Sequence, residues 1–218
     1  MTTWLTRITP DLRHQRAATD LNNAVQMHHT VMKLFPDQLG PQARQTAGVL
    51  FRVDQSAIGG ITILVQSTIE PNAERLPAGY GEVISRPLDL LLDALRPGLP
   101  VRYRLAGNAT QKLGLNTKAG KPHQIVPLSG ADAEQWWIRQ AELSGLDVRS
   151  IDAQAVNAAT GLRTDPQTRD QQPQRHARTQ FDGTAIITDP QLLRTRILAG
   201  IGRGKSYGCG LLTLAPTR

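Results

Sequence analysis

The chain has one cysteine, Cys209, in 218 residues. It therefore has no means of building an internal disulfide framework or a cysteine-based zinc site, and a reducing cytoplasm suits it. Aromatic residues are scarce at 4%, too few for a platform on which successive single-stranded bases stack. Long hydrophobic runs are missing as well. The longest largely apolar stretch, 58–65, is far too short to span a bilayer, and the opening Trp4-Leu5-Thr6-Arg7 has no apolar secretion-signal core. The expectation is a soluble, unexported protein with no membrane partner.

Acidic residues are the remaining shortage. Eighteen Asp and Glu against 25 Lys and Arg leave a net charge of +7 and a pI near 10.2, a balance that favours a polyanionic partner such as nucleic acid. With 39% hydrophobic and 20% charged residues, the chain has enough apolar material to fold as one large or two small domains.

Periodicity predicts an extended segment at Trp4–Thr9, an amphipathic helix over about 20–35, and β-rich runs at 49–53 and 61–66. The leucine run 88–93 fits either strand or helix, and Arg96-Pro97-Gly98 punctuates the chain. In the second half, Val101-Arg102-Tyr103-Arg104-Leu105 alternates apolar and basic residues, which puts two arginines on one face of a strand. Ser129-Gly130-Ala131-Asp132 has the form of a helix start, Phe181–Thr188 reads as a strand, Asp189-Pro190 opens a helix through Leu198, and Tyr207–Leu214 reads as a last strand. Each half approximates β-α-β-β-α-β. The predicted fold is α+β, two tandem ferredoxin-like domains, 1–96 and 97–218.

Three stretches bear on chemistry. The tail Gly200-Ile201-Gly202-Arg203-Gly204-Lys205-Ser206-Tyr207-Gly208-Cys209-Gly210 contains Gly-Lys-Ser but is no phosphate-binding P-loop. Ala199 stands where the first glycine belongs, and helix precedes strand where a P-loop needs the reverse, so no nucleotide cofactor is expected. Its glycines allow either a tight helix-to-strand turn or a close backbone approach to a phosphate, with Arg203 and Lys205 supplying charge. Cys209, between glycines in an apolar strand, reads as a small core residue. On the first helix, Leu21, Ala24, Val25, His28, Val31, Met32 and Phe35 share one stripe, so His28 is either a hydrogen-bonded core residue or a catalyst. His29 lies about 100° around the helix, on the face of Lys33, and the pair offers no metal site. His14, His123 and His176 read as surface residues. The polar stretch between Leu162 and Phe181, with Arg163, Arg169, Arg175 and Arg178, is either a solvated loop or a basic arm.

Several of these segments resemble the CasE family, CRISPR-associated endoribonucleases of type I-E systems. GIGRGKSYGCGLLTLAP (200–216) resembles the family's glycine-rich signature, Gln26-Met27-His28 its catalytic helix, and Arg102–Asn108 its central strand and turn. The opening 4–6 and the segment 122–128 are similar too. The resemblance implies two ferredoxin-like domains, metal-independent cleavage at the base of a repeat stem-loop, and a place among the subunits of Cascade. It assigns His28 as the proton-transfer residue and Lys33 as a charge neutraliser. RNA contacts are expected at Arg102, Arg104 and Lys112, at Arg163, Arg169, Arg175 and Arg178 of the polar stretch, which lies where the family has a basic hairpin, and at Arg203, Lys205 and Ser206 beside Gly200, Gly202, Gly204, Gly208 and Gly210. Two departures stand out: Val25 where members often have a catalytic tyrosine, and Ala109 where a proline is common. With Val25 the second acid/base group is open, His29 and Lys33 being candidates. The rival reading is a catalytically weak scaffold that grips the same hairpin.

Overall fold

In Trp4–Pro10 (β1), Thr6, Ile8 and Pro10 are buried while Arg7 and Thr9 are exposed, the period-two pattern of a half-buried strand. The computed structural model, which describes residues 2–56, 59–118, 120–164 and 170–217, places β1 inside an antiparallel sheet. Its partners are Leu50–Gln55 (β2), Ile61–Ser67 (β3) and Gly81–Pro87 (β4), in the order β2-β3-β1-β4. The second sheet comprises Pro100–Gly107 (β5), Leu146–Thr164 (β8), Gln171–Ile187 (β9) and Leu212–Pro216 (β10), in the order β10-β5-β9-β8. A small hairpin, Thr110–Lys112 (β6) with Ile125–Pro127 (β7), interrupts the second half. Counted within each half, both sheets have the 4-1-3-2 order of the ferredoxin-like fold.

The helices are Gln15–Asn22 (α1), Ala24–Lys33 (α2), Ala43–Thr46 (α3), Asp89–Asp93 (α4), Ala131–Glu142 (α5) and Pro190–Ala199 (α6). The second half has both of its crossover helices, α5 and α6. The first half departs from the expected βαββαβ order: between β3 and β4 there is only a 3-10 turn, Ala73–Arg75, and the leucine run forms α4 after β4. The expected single helix over about 20–35 is two helices. Asn23 between them is extended (φ −139, ψ 104), and its side chain accepts hydrogen bonds from the Val25 and Gln26 amides, a cap that starts a new helix with a new phase. The buried line of α2 is consequently Val25, Met27, Thr30 and Val31, not the stripe read through Leu21 and His28. At α5 the cap is Gly130 at φ +53, with no side-chain hydrogen bond, so Ser129 does not cap it.

One core packs Met27, Val31, Phe35, Phe51, Ile63 and Val65. The other is built on Trp137, Phe181 and Tyr103, with the Trp137 ring 5.9 Å from Phe181 and 5.1 Å from Tyr103. The two halves meet at the edge strands β2 and β10, where Arg52, only 2% exposed, uses all its guanidinium donors. Nε and Nη2 donate to the Asp54 carboxylate at 2.7 and 2.9 Å, Nη1 to the Arg104 and Leu211 carbonyls at 3.0 Å each, and Nη2 also to Thr213 Oγ1 at 3.0 Å. Gln66 on β3 adds a bond from Nε2 to the Ile197 carbonyl at 3.0 Å. These bonds hold α6 and the chain beyond it against the first sheet.

Candidate active site

The glycine-rich loop comes directly after α6. Gly200, Gly202, Gly204, Gly208 and Gly210 all have φ between +73 and +90, a region that favours glycine. Space is short as well: a Cβ on Gly200 would lie 2.7 Å from Leu50 Cδ2. The Ile201 and Gly210 amides bond to Gly210 and Ala106 carbonyls, and those of Tyr207 and Cys209 to Gly204. Those four N–H groups thus hold the loop itself, which favours the tight-turn reading over a backbone phosphate cradle. The last strand starts at Leu212, so the expectation of a strand from Tyr207 is corrected. Lys205–Tyr207 is a 3-10 turn, and Cys209 is fully buried in the loop, not in a strand. Burial pushes its thiol up to about 12, with the Arg178 charge opposing.

The turn 205–207 packs against α2. Val25, His28, His29 and Met32 of α2, residues 41–45 around α3, and Ser206 and Tyr207 together line an open cavity of about 590 Å³. The His28 ring stacks beside Phe51, with centroids 6.4 Å apart, and its Nδ1 is buried without a partner among the described residues. Burial above all, then the charges of His29 and Arg44, lower its pKa from 6.5 to about 4. At neutral pH His28 is thus an uncharged imidazole at a cavity wall, able to accept a proton. His29 was expected on another face, yet it lines the same cavity with its ring 6.1 Å from His28, because neighbours at 100° both reach a wide opening. Val25 is buried at 8% exposure where β8 crosses the start of α2; a Cβ on Gly161 would stand 2.7 Å from Val25 Cγ2.

Sequence reasoning missed two lining residues, Arg44 and Tyr207. Arg44 is half-buried, donates from Nη1 to the Val49 carbonyl at 3.0 Å, and has its pKa lowered by burial. Tyr207 stacks on His176 at 4.2 Å, and His176 is half-buried, its Nε2 without a partner among the described residues, so His176 is no simple surface residue. His14 also has a structural task, accepting from the Ala17 amide at the start of α1.

Of the residues assigned by resemblance, His28 and Ser206 line the cavity, whereas Lys33 is exposed in the last turn of α2 and is not among the lining residues. Lys205 is half-buried and donates from Nζ to the Ala199 carbonyl at 2.7 Å; Arg203 is exposed. Arg102 and Lys112 are exposed on β5 and β6. Arg104 is paired with Asp182 directly across on β9, at 2.6 and 3.1 Å, so the neighbouring strand neutralises one of the two arginines on the basic face of this strand and leaves Arg102 exposed. The segment between 162 and 181, open between loop and arm, belongs to a long hairpin whose β8 and β9 pair out to Thr164 and Gln171. Arg163 lies on β8 and Arg175 is exposed on β9, whereas Arg169 lies outside the described residues. Arg178 is half-buried, donating from Nε to the Asn157 carbonyl at 2.8 Å. Asn108 fastens the turn after β5 by donating to the Ala177 carbonyl at 2.6 Å, and Ala109 beside it is buried.

A larger cavity, about 710 Å³ between α5 and β8, carries Glu134, Glu142 and Asp147, and its one arginine, Arg149, is paired with Asp147. Its charge is wrong for a polyanion, so the smaller His28 cavity is the better site. Among the described residues no group of three or more His, Cys, Asp or Glu is arranged to hold a metal ion, and no helix is long and apolar enough to cross a membrane.

Two ferredoxin-like sheets, with a histidine helix of the first facing a glycine-rich loop of the second, define a class of tandem α+β protein. Within that class the chain belongs to the CRISPR-associated protein family, whose model matches residues 3–216. It is 26% identical over 222 residues to the CRISPR-associated endoribonuclease Cse3 of Thermus thermophilus, covering 98% of this chain and all of that one. The structure of Thermus thermophilus Cse3 bound to an RNA representing a pre-cleavage complex superposes with a TM-score of 0.79 at 25% identity, covering 99% of this chain and all of that one. A chain of a CRISPR RNA-guided surveillance complex in a pre-nicking state matches at 36% identity with a TM-score of 0.70, over 98% of this chain and all of that one.

Proposed function

We propose that this protein is an endoribonuclease that cuts CRISPR precursor RNA at the base of the repeat stem-loop, without metal, and retains the product as a subunit of a cytoplasmic Cascade complex. The observation that carries the reading is the uncharged His28 set beside Arg44 in an open cavity, in a chain similar along its whole length to a named CRISPR endoribonuclease. The similarity to a surveillance-complex chain supports the assembly role. The fold alone would support neither, since folds host many functions.

In this mechanism His28 takes the proton of the ribose 2′-OH. The 2′-oxygen bonds to phosphorus, the bond to the 5′-oxygen breaks, and a second group protonates that oxygen, leaving a 2′,3′-cyclic phosphate and a 5′-hydroxyl. His29 and Tyr207 are the cavity-wall side chains suited to the second transfer, whereas the exposed Lys33 is not among the lining residues. The long hairpin carrying Arg175 supplies charge for the RNA stem, while the halves 1–96 and 97–218 act as separate domains around the cavity.

Buried Val25, which has no proton to give, favours one other reading, a scaffold that binds the hairpin without cutting it. Incubation with the cognate repeat RNA in EDTA decides between them. Clean cutting, lost in His28→Ala by about 10²- to 10⁴-fold with affinity retained, upholds the enzyme; tight binding without cutting by the wild type establishes the scaffold.

A further inference from the structure

Arg44 belongs to two cavities. One is the His28 cavity; the other, about 280 Å³, is walled by Arg44, Gln45, Gly48, Leu50, Leu198, Ala199 and Lys205. Among the described residues, neither wall contains an aspartate or glutamate. The two cations are nonetheless half-buried, and the hydrogen bonds they make run to main-chain carbonyls, Arg44 to Val49 and Lys205 to Ala199. Like charge gathers further. Burial is the first cause that disfavours the charged forms of Lys205 and His28; Arg44 adds to it in both, and so, for Lys205, does Arg196, which is bonded to the neutral Ser144 and Gln140 side chains. Other arginines are treated differently: Arg52, Arg75, Arg104, Arg149 and Arg194 each have a carboxylate at 2.6 to 2.7 Å, and Arg13 and Arg16 have one at 3.0 Å. Half-buried cations without a counter-ion cost stability, and an anion brought by a ligand is what would relieve that cost.

We infer that Arg44 is a catalytic residue that grips the scissile phosphate in the His28 cavity, while Lys205 holds the adjoining phosphate of the same RNA strand in the neighbouring cavity. This rests on the endoribonuclease reading and assigns its charge-neutralising role to Arg44 in place of Lys33. The planar guanidinium can meet two phosphate oxygens at once. As the 2′-oxygen adds to phosphorus, the non-bridging oxygens gain charge, and a fixed cation in a partly water-excluded wall stabilises that state more than the ground state. Arg44 itself exchanges no proton. The bound phosphate in turn restores negative charge beside His28, which eases the imidazole's acceptance of the 2′ proton.

The test uses Arg44→Gln, Arg44→Lys and Lys205→Gln in the full chain. Two RNAs are needed: the cognate repeat for single-turnover cleavage, and the same repeat with one 2′-deoxy nucleotide at the cleavage position for binding across a salt series. Arg44→Gln is expected to slow the saturated cleavage step by about 10²- to 10³-fold, with Arg44→Lys recovering part of it. In binding, Arg44→Gln and Lys205→Gln are each expected to flatten the salt slope by roughly 0.7 to 0.9, and the lysine variant by less than the glutamine variant at position 44. Wild-type cleavage at saturation in Arg44→Gln overturns the catalytic role, and unchanged salt slopes in both glutamine variants overturn the phosphate sites. A wild type that binds but never cuts sinks the endoribonuclease reading and with it the catalytic role of Arg44, while the slopes still decide the phosphate grip. If the wild type does not bind the repeat at all, inorganic tripolyphosphate is the probe: a rise in melting temperature that Arg44→Gln loses upholds the anion site, and no rise in the wild type overturns it.

Discussion

Acidification distinguishes the half-buried, uncharged His28 from an ordinary solvent-exposed histidine, and the size of the effect comes from its surroundings. The ring is held from 6.5 down to about 4 by burial, with the charges of His29 and Arg44 adding to it, a shift worth about 3 kcal/mol at ~1.4 kcal/mol per pH unit. At pH 6 an unperturbed histidine would be about three-quarters charged, whereas a group titrating near 4 is about 1% charged. The second-order rate constant for cleavage reports the free enzyme, so with His28 as base its acid limb is expected well below pH 6. The saturated rate reports the RNA complex, where phosphate beside the ring raises the pKa, so that limb is expected at higher pH. Stability depends on the same group. The unfolded chain takes up the proton near 6.5 and the folded one only near 4, so the His28 contribution is whole above about pH 6.5 and is lost progressively as pH falls toward 4. Cleavage rates over about pH 4 to 8, read beside an NMR titration of the His28 imidazole, check both parts. An imidazole titrating near 6.5 in the free protein, or a second-order rate that rises on acidification through that range, would refute a neutral base at this position.

Val25→Tyr is expected to lower the melting temperature, because Val25 is buried under Gly161 of the hairpin and overpacking costs about 1 to 3 kcal/mol; a stable variant that cuts faster would show that the phenol reaches the cavity instead. Arg52→Leu strands the Asp54 carboxylate and the Arg104 and Leu211 carbonyls at the seam between the sheets. It is expected to cost about 3 to 5 kcal/mol, and unaltered urea unfolding would contradict that. Arg175→Gln and Arg178→Gln are expected to separate: the first, exposed, flattens the salt dependence of RNA binding by up to about one unit with stability unchanged, while the second also loosens the hairpin by removing the bond to Asn157. Equal melting temperatures for the two variants would show that the Arg178 contact carries no stability.

Local pattern alone determined a good deal of this protein. Alternation marked β1 and β5, Asp189-Pro190 marked the start of α6, and the helix-before-strand order around Gly204-Lys205-Ser206 excluded a P-loop, because each of these depends on neighbours within a few residues. The glycine-rich signature carried the family for a similar reason, since a loop with five left-handed glycines and a Cβ-excluding contact at Leu50 tolerates few other sequences. Tertiary structure decided the site. Arg44 lies on a four-residue helix with no buried residue, so it has no periodic signal, and it matters only because Arg52 and Gln66 clamp the halves so that α6 delivers Lys205, Ser206 and Tyr207 to α2. The extended cap at Asn23 reset the phase of the histidine helix, and Asp182 on β9 neutralised Arg104, one of the two arginines that β5 alone displays on its basic face. Charge and periodicity are properties of a segment, whereas a cavity wall drawn from three segments up to about 180 residues apart is a property of packing, and it forms only when the two sheets have met.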